Sequence, residues 1–559
     1  MRRPSHTDDM DQNALINTHT AEREVIHDVQ SNFQDDTQNG VPSTTASNAF
    51  GVTSSKMESM EYEYNFEQQQ QQQHEHPQHH PTILRYLPRL VRYDNNDLVE
   101  ASGCAVDMYA RSTVFMAGIF LGPALLELAS MQATNECLQQ QEQNDDASLN
   151  CDDTDNLTVY GFKPSSLLTN MVIIVNFVAT LLLPIAGVIV DYTPYRRHVG
   201  MYTAAIMTCI KFMELGLGQS TWFFVAWLQI ITGIVYQLHT ASSYAYSSEL
   251  SKEPTEQSAF QSHFFMVMYI SMLLYMLEIL IPGQVWQMDD VATARLAVLV
   301  TCLTTTPLFF ISWRYLFRDK PPVSRIPPGE TLLSAGFLKL YRTYNDLSTD
   351  YRSVKIFLAG IACSEAADTA LATIATTFMK EYLGMNSLEI GLVLLVVLIA
   401  GMPGTYVGNV LCKRYNPVVS AKTCLVQYIV VTIAASLFLR PNTKNLAYLF
   451  GFLWGMCQGW MHPQHTTIFV TISPKDKGEV ELMGLFLFAA SIFGFIPPLV
   501  FSVFNEMGLP MWVGVSTLVF YFILGYIGLV AMGDYEAARA QSHGPALIPQ
   551  DEDEEGVLT

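Results

Sequence analysis

The sequence predicts an all-α, polytopic membrane protein with twelve transmembrane helices in two six-helix bundles and a disordered tail at each end. The 559 residues are 50% hydrophobic and only 15% charged, whereas soluble proteins are about a quarter charged. Apolar runs of roughly twenty residues, the length that crosses a bilayer as a helix, recur twelve times. The longest connection between two runs falls after the sixth, which divides the runs into two equal sets.

The polar N-terminal segment, residues 1–98, comes first and contains a glutamine run followed by four histidines within residues 68–80. Such a composition buries too little apolar surface to fold, so we predict an acidic, disordered cytosolic tail. The histidines also allow metal binding, but a polar low-complexity tail is the simpler interpretation. Twelve predicted spans follow, at about 109–130, 166–190, 199–218, 221–243, 262–282, 295–317, 354–378, 388–411, 420–439, 445–466, 481–504 and 511–532.

The predicted domains are an N-terminal bundle at 99–317, a cytosolic central loop at 318–353, a C-terminal bundle at 354–532 and an acidic cytosolic tail at 533–559. The central loop contains four prolines and a predicted amphipathic helix near 331–345. Two sets of six spans around a polar loop are typical of the major facilitator fold, in which the halves are related by internal pseudo-symmetry.

Loop charges predict the orientation of the spans. With both termini cytosolic, the cytosolic connections carry sixteen lysines and arginines and the opposite loops carry five, which is the positive-inside pattern. This orientation places the loop 131–163 in a lumen. That loop contains Asn156 in a glycosylation sequon and Cys137 and Cys151 as a candidate disulfide, and both modifications require such a compartment.

The net charge of −21 gives no sign of nucleic-acid binding. The tails and the loop 131–163 carry −8, −6 and −6, which leaves −1 for the rest of the chain; a nucleic-acid-binding protein shows a basic surface instead. The sequence lacks a phosphate-binding loop, a nucleophile elbow and an H-E-x-x-H motif. We therefore expect no enzyme, no cofactor and no metal site. We also expect a monomer.

Charged and polar residues inside apolar spans are the candidate site, because burying them in a bilayer is costly. Asp107 lies near the start of the first span, and Glu365 and Asp368 lie three residues apart on one face of the seventh span. Gln458 and His462 lie in the tenth span. We expect these five residues to bind a substrate amine or a coupling proton, although Asp107 alternatively pairs with Arg111, four residues further on.

The segment 187–200, GVIVDYTPYRRHVG, joins the second and third predicted spans. A plain basic turn explains its arginines but not the acid at this spacing. The segment resembles the loop signature of the major facilitator superfamily, in which an acid and bases latch helices together in one access state. Gly187, Asp191 and Arg196 match, Arg197 adds a second base, and Tyr192 replaces the usual base.

The Asp-Tyr-x-x-Tyr-Arg variant resembles a narrower family, the autophagy-related vacuole effluxers. Residues 103–110 are similar to that family's first span, and residues 364–378 are similar to its seventh, with Asp368 at the family acid. The resemblance implies a secondary transporter in the vacuolar or lysosome-like membrane that exports amino acids to the cytosol and recycles products of autophagy. A proton is a candidate driving ion. A transporter of another small solute and a non-transporting receptor on the same fold remain open alternatives.

Overall fold

The computed structural model describes residues 84, 86–93, 98–144, 151, 157–247, 249–251, 254–322, 331–474 and 479–542. All of them belong to one compact unit, 81–559. The described residues are helical, apart from turns, connections and one isolated bridge between Val159 and Phe162. Asn156, most of the predicted N-terminal tail and the last part of the C-terminal tail lie outside the described residues.

The N-terminal bundle contains six long helices in the predicted order. They are α1 (Val99–Asn144), α2 (Leu167–Tyr192), α3 (Arg196–Glu214), α4 (Trp222–Ser247), α5 (Pro254–Val285) and α6 (Asp290–Ile311). A π-helical turn, Ser312–Leu316, extends α6. Helix α1 begins ten residues before the predicted start of the first span and continues into the predicted loop 131–163. Asp107 therefore lies inside the helix rather than near its first turn.

The C-terminal bundle follows the amphipathic helix α7 (Leu332–Asp350), which Thr331 caps. Its helices are α8 (Arg352–Thr377), α9 (Ser387–Arg414), α10 (Pro417–Phe438), α11 (Leu446–Ile472), α12 (Glu479–Ile492), α13 (Ile496–Glu506), α14 (Met511–Ser516) and α15 (Leu518–Ala531). A π-helical turn, Phe378–Tyr382, extends α8. The last two predicted spans are each interrupted, so that α12 with α13 and α14 with α15 take their places.

Ten of these twelve spans are long and apolar enough to cross a membrane by composition alone. The other two are α3 and α11. Helix α3 has two arginines at its start and Lys211 and Glu214 at its end. Helix α11 has two glutamines and two histidines among its 27 residues. Polar groups of this kind inside a bundle indicate functional segments, because they are costly against lipid.

An even number of spans brings both ends of the body to one side. We call this side, where α1 begins and α15 ends, the terminal face, and the opposite side the loop face. The start of α8 and the end of α15 meet at the terminal face, where the Ser353 hydroxyl donates to the Met532 carbonyl (3.1 Å). Depth in the body is given below as distance along a helix from its terminal-face end.

Parts of both predicted tails are folded onto the terminal face, which moves the tail boundaries drawn at 98 and 533. Leu84, Leu87 and Val91 are buried against the N-terminal bundle. Burial raises the pKa of Tyr93 to about 12, so its hydroxyl stays protonated, and it lies within hydrogen-bond distance of His263 Nδ1 (2.7 Å). At the other end, helix α16 (Tyr535–Ser542) packs on α11.

The cores explain why the spans assemble in this way. One cluster of buried apolar side chains fills the C-terminal bundle, and two others fill the two ends of the N-terminal bundle. Helices α9 and α11 approach very closely, because a Cβ at Gly404 would overlap the Met456 carbonyl and a Cβ at Gly459 would overlap the Gly401 carbonyl. Small residues allow such approach between membrane helices.

The two bundles are joined near the loop face. Asn505 at the end of α13 donates to the hydroxyls of Ser165 and Ser166, just before α2 (2.7 and 2.8 Å). Ser502 on the same helix donates to Asn170 Oδ1 (2.6 Å). An apolar contact lies beside these bonds, with Leu388 of α9 packed into the side chains of α1 and α5. The structure therefore represents a state that is closed at the loop face.

Candidate functional site: two polar clusters at mid-depth

The first polar cluster surrounds Asp107 in the N-terminal bundle. Asp107 is completely buried, and its carboxylate accepts from Arg111 Nε, His239 Nε2 and Trp313 Nε1, each at 2.8 Å. His239 Nδ1 lies 2.8 Å from the Thr203 hydroxyl. A buried carboxylate is tolerated only when it is paired and hydrogen-bonded, and these contacts meet that requirement. The cluster links α1, α3, α4 and the end of α6.

The Arg111 guanidinium retains donor capacity after pairing with Asp107. Its Nη1 donates to the Thr240 hydroxyl (3.1 Å), and its Nη2 has only a long contact to Ser243 Oγ and one to a methionine sulfur, both at 3.5 Å. The Tyr244 ring lies 5.8 Å from the guanidinium carbon. Because arginine has five N–H donors, a further acceptor can be bound without breaking the ion pair with Asp107.

The second cluster surrounds Glu365 in the C-terminal bundle. Glu365 Oε1 lies 2.6 Å from His465 Nδ1, and Oε2 lies 3.6 Å from His462 Nδ1. His465 is fully buried, and its Nε2 has no hydrogen-bond partner among the described residues. The His462 side chain is 43% exposed. The seventh and tenth predicted spans, α8 and α11, are thereby linked by one acid and two histidines.

Asp368 is one helical turn beyond Glu365 and has a different environment. The hydroxyl of the buried Tyr428 donates to its carboxylate. In the described part of the chain, no lysine, arginine or histidine lies within ion-pair distance of Asp368. The side chain is only partly buried. Asp368 is therefore an acid that still lacks a cationic partner.

The clusters lie at similar depths in the two bundles. At 1.5 Å per residue, Arg111 lies about 18 Å from the start of α1, and Asp368 lies about 24 Å from the start of α8. His462 lies about 15 Å from the end of α11, and its ring packs edge-on against Phe265 of α5 (centroids 6.2 Å). Gln458 is exposed one turn from His462 and on the same face of α11. Phe265 and His462 thus connect the two bundles at mid-depth.

The segment 187–200 forms the turn between α2 and α3. Arg196 is buried and binds Glu249 (2.7 Å), and Arg197 binds Asp319 (2.8 Å) and the Trp313 carbonyl (3.0 Å). Both arginines therefore hold α3 to the terminal-face ends of α4 and α6 within one bundle. A Cβ at Gly187 would meet nothing within 4 Å. The side chain of Asp191 lies outside the described residues.

Tyr192, which replaces the usual base of the signature, is contacted from the central loop. Lys339 of α7 places its ammonium 5.5 Å from the centre of the Tyr192 ring. The same helix lies against α2, where Gly336 approaches the Pro184 carbonyl closely enough that a Cβ would overlap it. A positive charge is thus present at Tyr192, although it comes from another segment.

A predicted disulfide and a buried ion pair lie on the loop face. Cys137 and Cys151 are joined by a disulfide with a Cα–Cα distance of 5.8 Å. Lys211 and Glu214, fully buried near that face, form an ion pair at 2.8 Å. Among the described residues, no group of histidine, cysteine and acidic side chains has the arrangement of a metal site.

Sequence patterns identified the acids of the two clusters but missed most of the side chains that are hydrogen-bonded to them. The structure brings Glu365, Asp368 and His462 together, with Gln458 nearby, whereas Asp107 belongs to a separate cluster in the other bundle. Trp313 and Tyr428 are the missed partners, at separations of 206 and 60 residues from the acids they contact. Local spacing indicated Arg111 as a partner of Asp107, whereas His239 of α4 lies 132 residues further along the chain.

Two bundles of six spans with ionisable groups buried at mid-depth define the class of secondary membrane transporters. The family model of the Major Facilitator Superfamily matches residues 110–498, which is more than half of the chain. The chain therefore belongs to the major facilitator superfamily, a family of carriers. The predicted fold class and transporter class are confirmed. A comparison with curated proteins found no match.

Three similar solved structures share the fold at 12% sequence identity. The nucleoside transporter NupG matches with a TM-score of 0.51, and the alignment covers 78% of this chain and 98% of that one. The human organic anion transporter MFSD10 (TETRAN) matches at 0.52, with 78% and 100% covered. A bacterial homologue of the iron transporter ferroportin, in its inward-facing state, also matches at 0.52, with 78% and 98% covered. Identity this low supports the fold alone.

Proposed function

We propose that the protein is a secondary active transporter that exports amino acids from a vacuolar or lysosome-like lumen to the cytosol. The two bundles rock about the mid-depth site and expose it alternately to each side. In this orientation the loop face is lumenal and both termini are cytosolic. The positive-inside pattern supports the orientation, and so does the loop-face disulfide, because disulfides persist in oxidising compartments.

The observation that carries the proposal is a pair of opposite charges on the two bundles at similar depth. An amino acid is a zwitterion, with a carboxylate and an ammonium group on the same carbon. Arg111 in the N-terminal bundle has donor capacity for the carboxylate. Asp368 in the C-terminal bundle has an acceptor for the ammonium, since among the described residues only Tyr428 is hydrogen-bonded to it. A zwitterion therefore has a partner in each bundle.

Binding to both bundles at once also explains how the solute promotes the transition. A ligand shifts a conformational equilibrium only by its difference in affinity between the states. A solute held by Arg111 and Asp368 together binds best when the bundles are close around it. The Arg111 guanidinium is almost fully buried in this state, with the Tyr244 ring beside it, so the solute reaches it only after a local rearrangement. The exposed Gln458 and the Phe265 ring provide polar and apolar surface for a side chain.

The histidine–carboxylate cluster is the proposed site of proton coupling. Glu365 contacts both His462 and His465, and histidine is the side chain that gains a proton most readily between pH 5 and 8. Proton uptake there changes the charge one helical turn from Asp368, and hence the charge balance of the substrate site. An acidic lumen would then drive export through the same helix pair, α8 and α11.

The proposal is tested by binding of a labelled amino-acid mixture to the purified full chain in lipid nanodiscs. Competitors are the unlabelled amino acids, their N-acetyl derivatives, which lack the ammonium, and the corresponding amino alcohols, which lack the carboxylate. The wild type is expected to bind only the free amino acids. Asp368→Asn should weaken binding by about tenfold or more, because a charged hydrogen bond is lost.

Two further variants complete the test. Arg111→Lys keeps the positive charge but loses the planar fork that suits a carboxylate, so we expect weaker binding of the free amino acids. Glu536→Gln alters an exposed ion pair on α16 and serves as a control with unchanged binding. Competition by N-acetyl derivatives as strong as that by free amino acids would overturn the zwitterion site. Absence of any amino-acid binding would overturn the amino-acid proposal and favour another solute.

A further inference from the structure

A second set of charges joins the bundles at the loop face, far from the substrate site. Lys380 lies in the π-helical turn that ends α8. Its ammonium bonds to Asp290 at the start of α6 and to Glu127 of α1 (3.2 Å). Asp290 also accepts from the backbone N–H of Ser387, the first residue of α9 (2.9 Å). One lysine of the C-terminal bundle is therefore shared by two acids of the N-terminal bundle.

The ion pairs of Lys380 are less exposed to solvent than ordinary surface ion pairs. Lys380 is 16% exposed and Asp290 only 7%, so both are shielded from screening by solvent, which weakens exposed ion pairs. Breaking such a contact leaves charged groups partly buried without partners. Since α1 and α6 belong to one bundle and α8 and α9 to the other, the contact cannot survive separation of the bundles at this face.

Further polar contacts between the bundles at this face, among the described residues, are uncharged or involve backbone groups. They lie along α2 and α13, where Asn505 bonds to Ser165 and Ser166 and Glu506 accepts from the Lys163 N–H (3.0 Å). Neutral hydrogen bonds exchange with water at little net cost. Among these described contacts, the charged one at Lys380 is thus the one whose loss most changes the balance between the closed and open states.

We propose that Lys380 is a positioning residue that locks the loop face closed, and that acid on this face releases the lock through Glu127. A groove of about 400 Å³ opens beside Lys380 and is lined by Glu127 and Glu381. The Glu127 side chain is 36% exposed, so protons from solution reach it. Protonated Glu127 no longer carries the negative charge that attracts Lys380, so Asp290 is then the one charged partner of Lys380 among the described residues of the opposite bundle.

The groups that face Glu127 define the direction of the effect. Lys380 and Glu381 from the π-helical turn and Asp290 from α6 carry the charges around it. Neutralising Glu127 removes an attraction to Lys380 across the boundary between the bundles. Replacing Lys380 by a neutral residue has a larger effect, because it removes the attraction to both acids at once and leaves the nearly buried Asp290 without its cationic partner. Both changes favour the open loop face.

The test measures the distance between the bundles by electron paramagnetic resonance on the full chain in nanodiscs. Spin labels are placed at two exposed loop-face positions, Ser220→Cys between α3 and α4 and Asn442→Cys between α10 and α11. The background replaces three native cysteines that are not buried, Cys209, Cys363 and Cys412, with serine. The readout is a distance, so it does not depend on which solute is carried.

Lys380→Gln is expected to raise the ratio of long to short distances by about tenfold or more. Lys380→Arg, which keeps the charge, should stay close to the wild type. Lys444→Gln is the matched control, because it breaks a loop-face ion pair with Glu389 (2.9 Å) that lies entirely within the C-terminal bundle. A distance distribution of Lys380→Gln identical to that of the wild type would overturn the lock.

The pH experiment uses proteins that keep the native Lys380, so its result can be interpreted even if Lys380→Gln fails to fold. Lowering the pH from 7 to 5 should increase the long distances in the wild type. Glu127→Gln should show those long distances already at pH 7 and respond less to acid. An equal response of both proteins to pH would overturn release through Glu127.

Discussion

Replacing Asp107 with asparagine is the perturbation whose cost the structure defines best. The carboxylate is completely buried and accepts three hydrogen bonds at 2.8 Å, one of them from a guanidinium. Asparagine keeps the size and one acceptor oxygen, but it removes the negative charge. Its amide group also turns a donor toward Arg111 or His239. The guanidinium is then left buried without a counter-charge.

We expect Asp107→Asn to lower the free energy of unfolding by about 3–5 kcal/mol, the usual cost of breaking a buried ion pair from one side. The exposed pair of Glu536 and Arg539 is the comparison, since both side chains are more than half exposed and their charged atoms are 3.8 Å apart. Glu536→Gln should change the free energy of unfolding by less than about 1 kcal/mol.

The assay is unfolding of the purified protein in mixed micelles by a denaturing detergent, followed by tryptophan fluorescence. Free energies of unfolding are compared between variants whose unfolding curves have the same slope against denaturant. The double variant Asp107→Asn/Arg111→Met should recover part of the loss, because the unpaired charge is then absent as well. If Asp107→Asn lost no more stability than Glu536→Gln, the reasoning from burial and hydrogen bonding would be refuted. If the double variant were worse than the single one, the unpaired guanidinium would not be the cause.

Three other predictions concern the coupling site, the central loop and the orientation. Glu365→Gln should abolish uptake driven by a pH gradient while solute exchange without a gradient continues, because its bond to His465 (2.6 Å) belongs to the proposed proton site; equal losses in both assays would contradict this. Lys339→Gln should slow transport by a factor of about two to five, since a cation–π contact with Tyr192 is worth about 0.5–1 kcal/mol, and Lys339→Arg should not; initial rates in liposomes measure this, and equal rates for both variants would contradict it. Asn156→Gln should remove an endoglycosidase-sensitive shift in gel mobility, and a wild-type protein without such a shift would contradict glycosylation at this position.

Local patterns in the sequence predicted the spans and the short-range pairs. Helical spacing places residues three or four apart on one face, so the pair Asp107–Arg111 was predicted, and the same spacing allows the pair Lys211–Glu214. The length of apolar runs predicted the order of the helices. The breaks within the last two spans were not predicted, because run length and apolar content alone defined the spans; Pro497 and Pro498, at the start of α13, were a local signal for the first break.

Contacts between distant segments were beyond this reasoning. Lys380 and Glu127 are 253 residues apart. In the sequence, each is an ordinary charged residue at the end of a predicted span. Only the packing of the two bundles brings them together. The same holds for Trp313, whose indole N–H reaches Asp107 from the π-helical turn after α6. Single-sequence periodicity places a side chain on a face but does not identify the helix opposite it.

The measurement that tests the central claim most directly is counterflow of a labelled amino-acid mixture into liposomes that contain the purified full chain. The account predicts that the labelled amino acids accumulate transiently when unlabelled amino acids are inside. It also predicts that accumulation falls strongly in Asp368→Asn and is unchanged in Glu536→Gln. Absence of counterflow for every amino acid, from protein shown to be folded, would contradict amino-acid transport. Undiminished counterflow in Asp368→Asn would contradict the role of that acid in binding the solute.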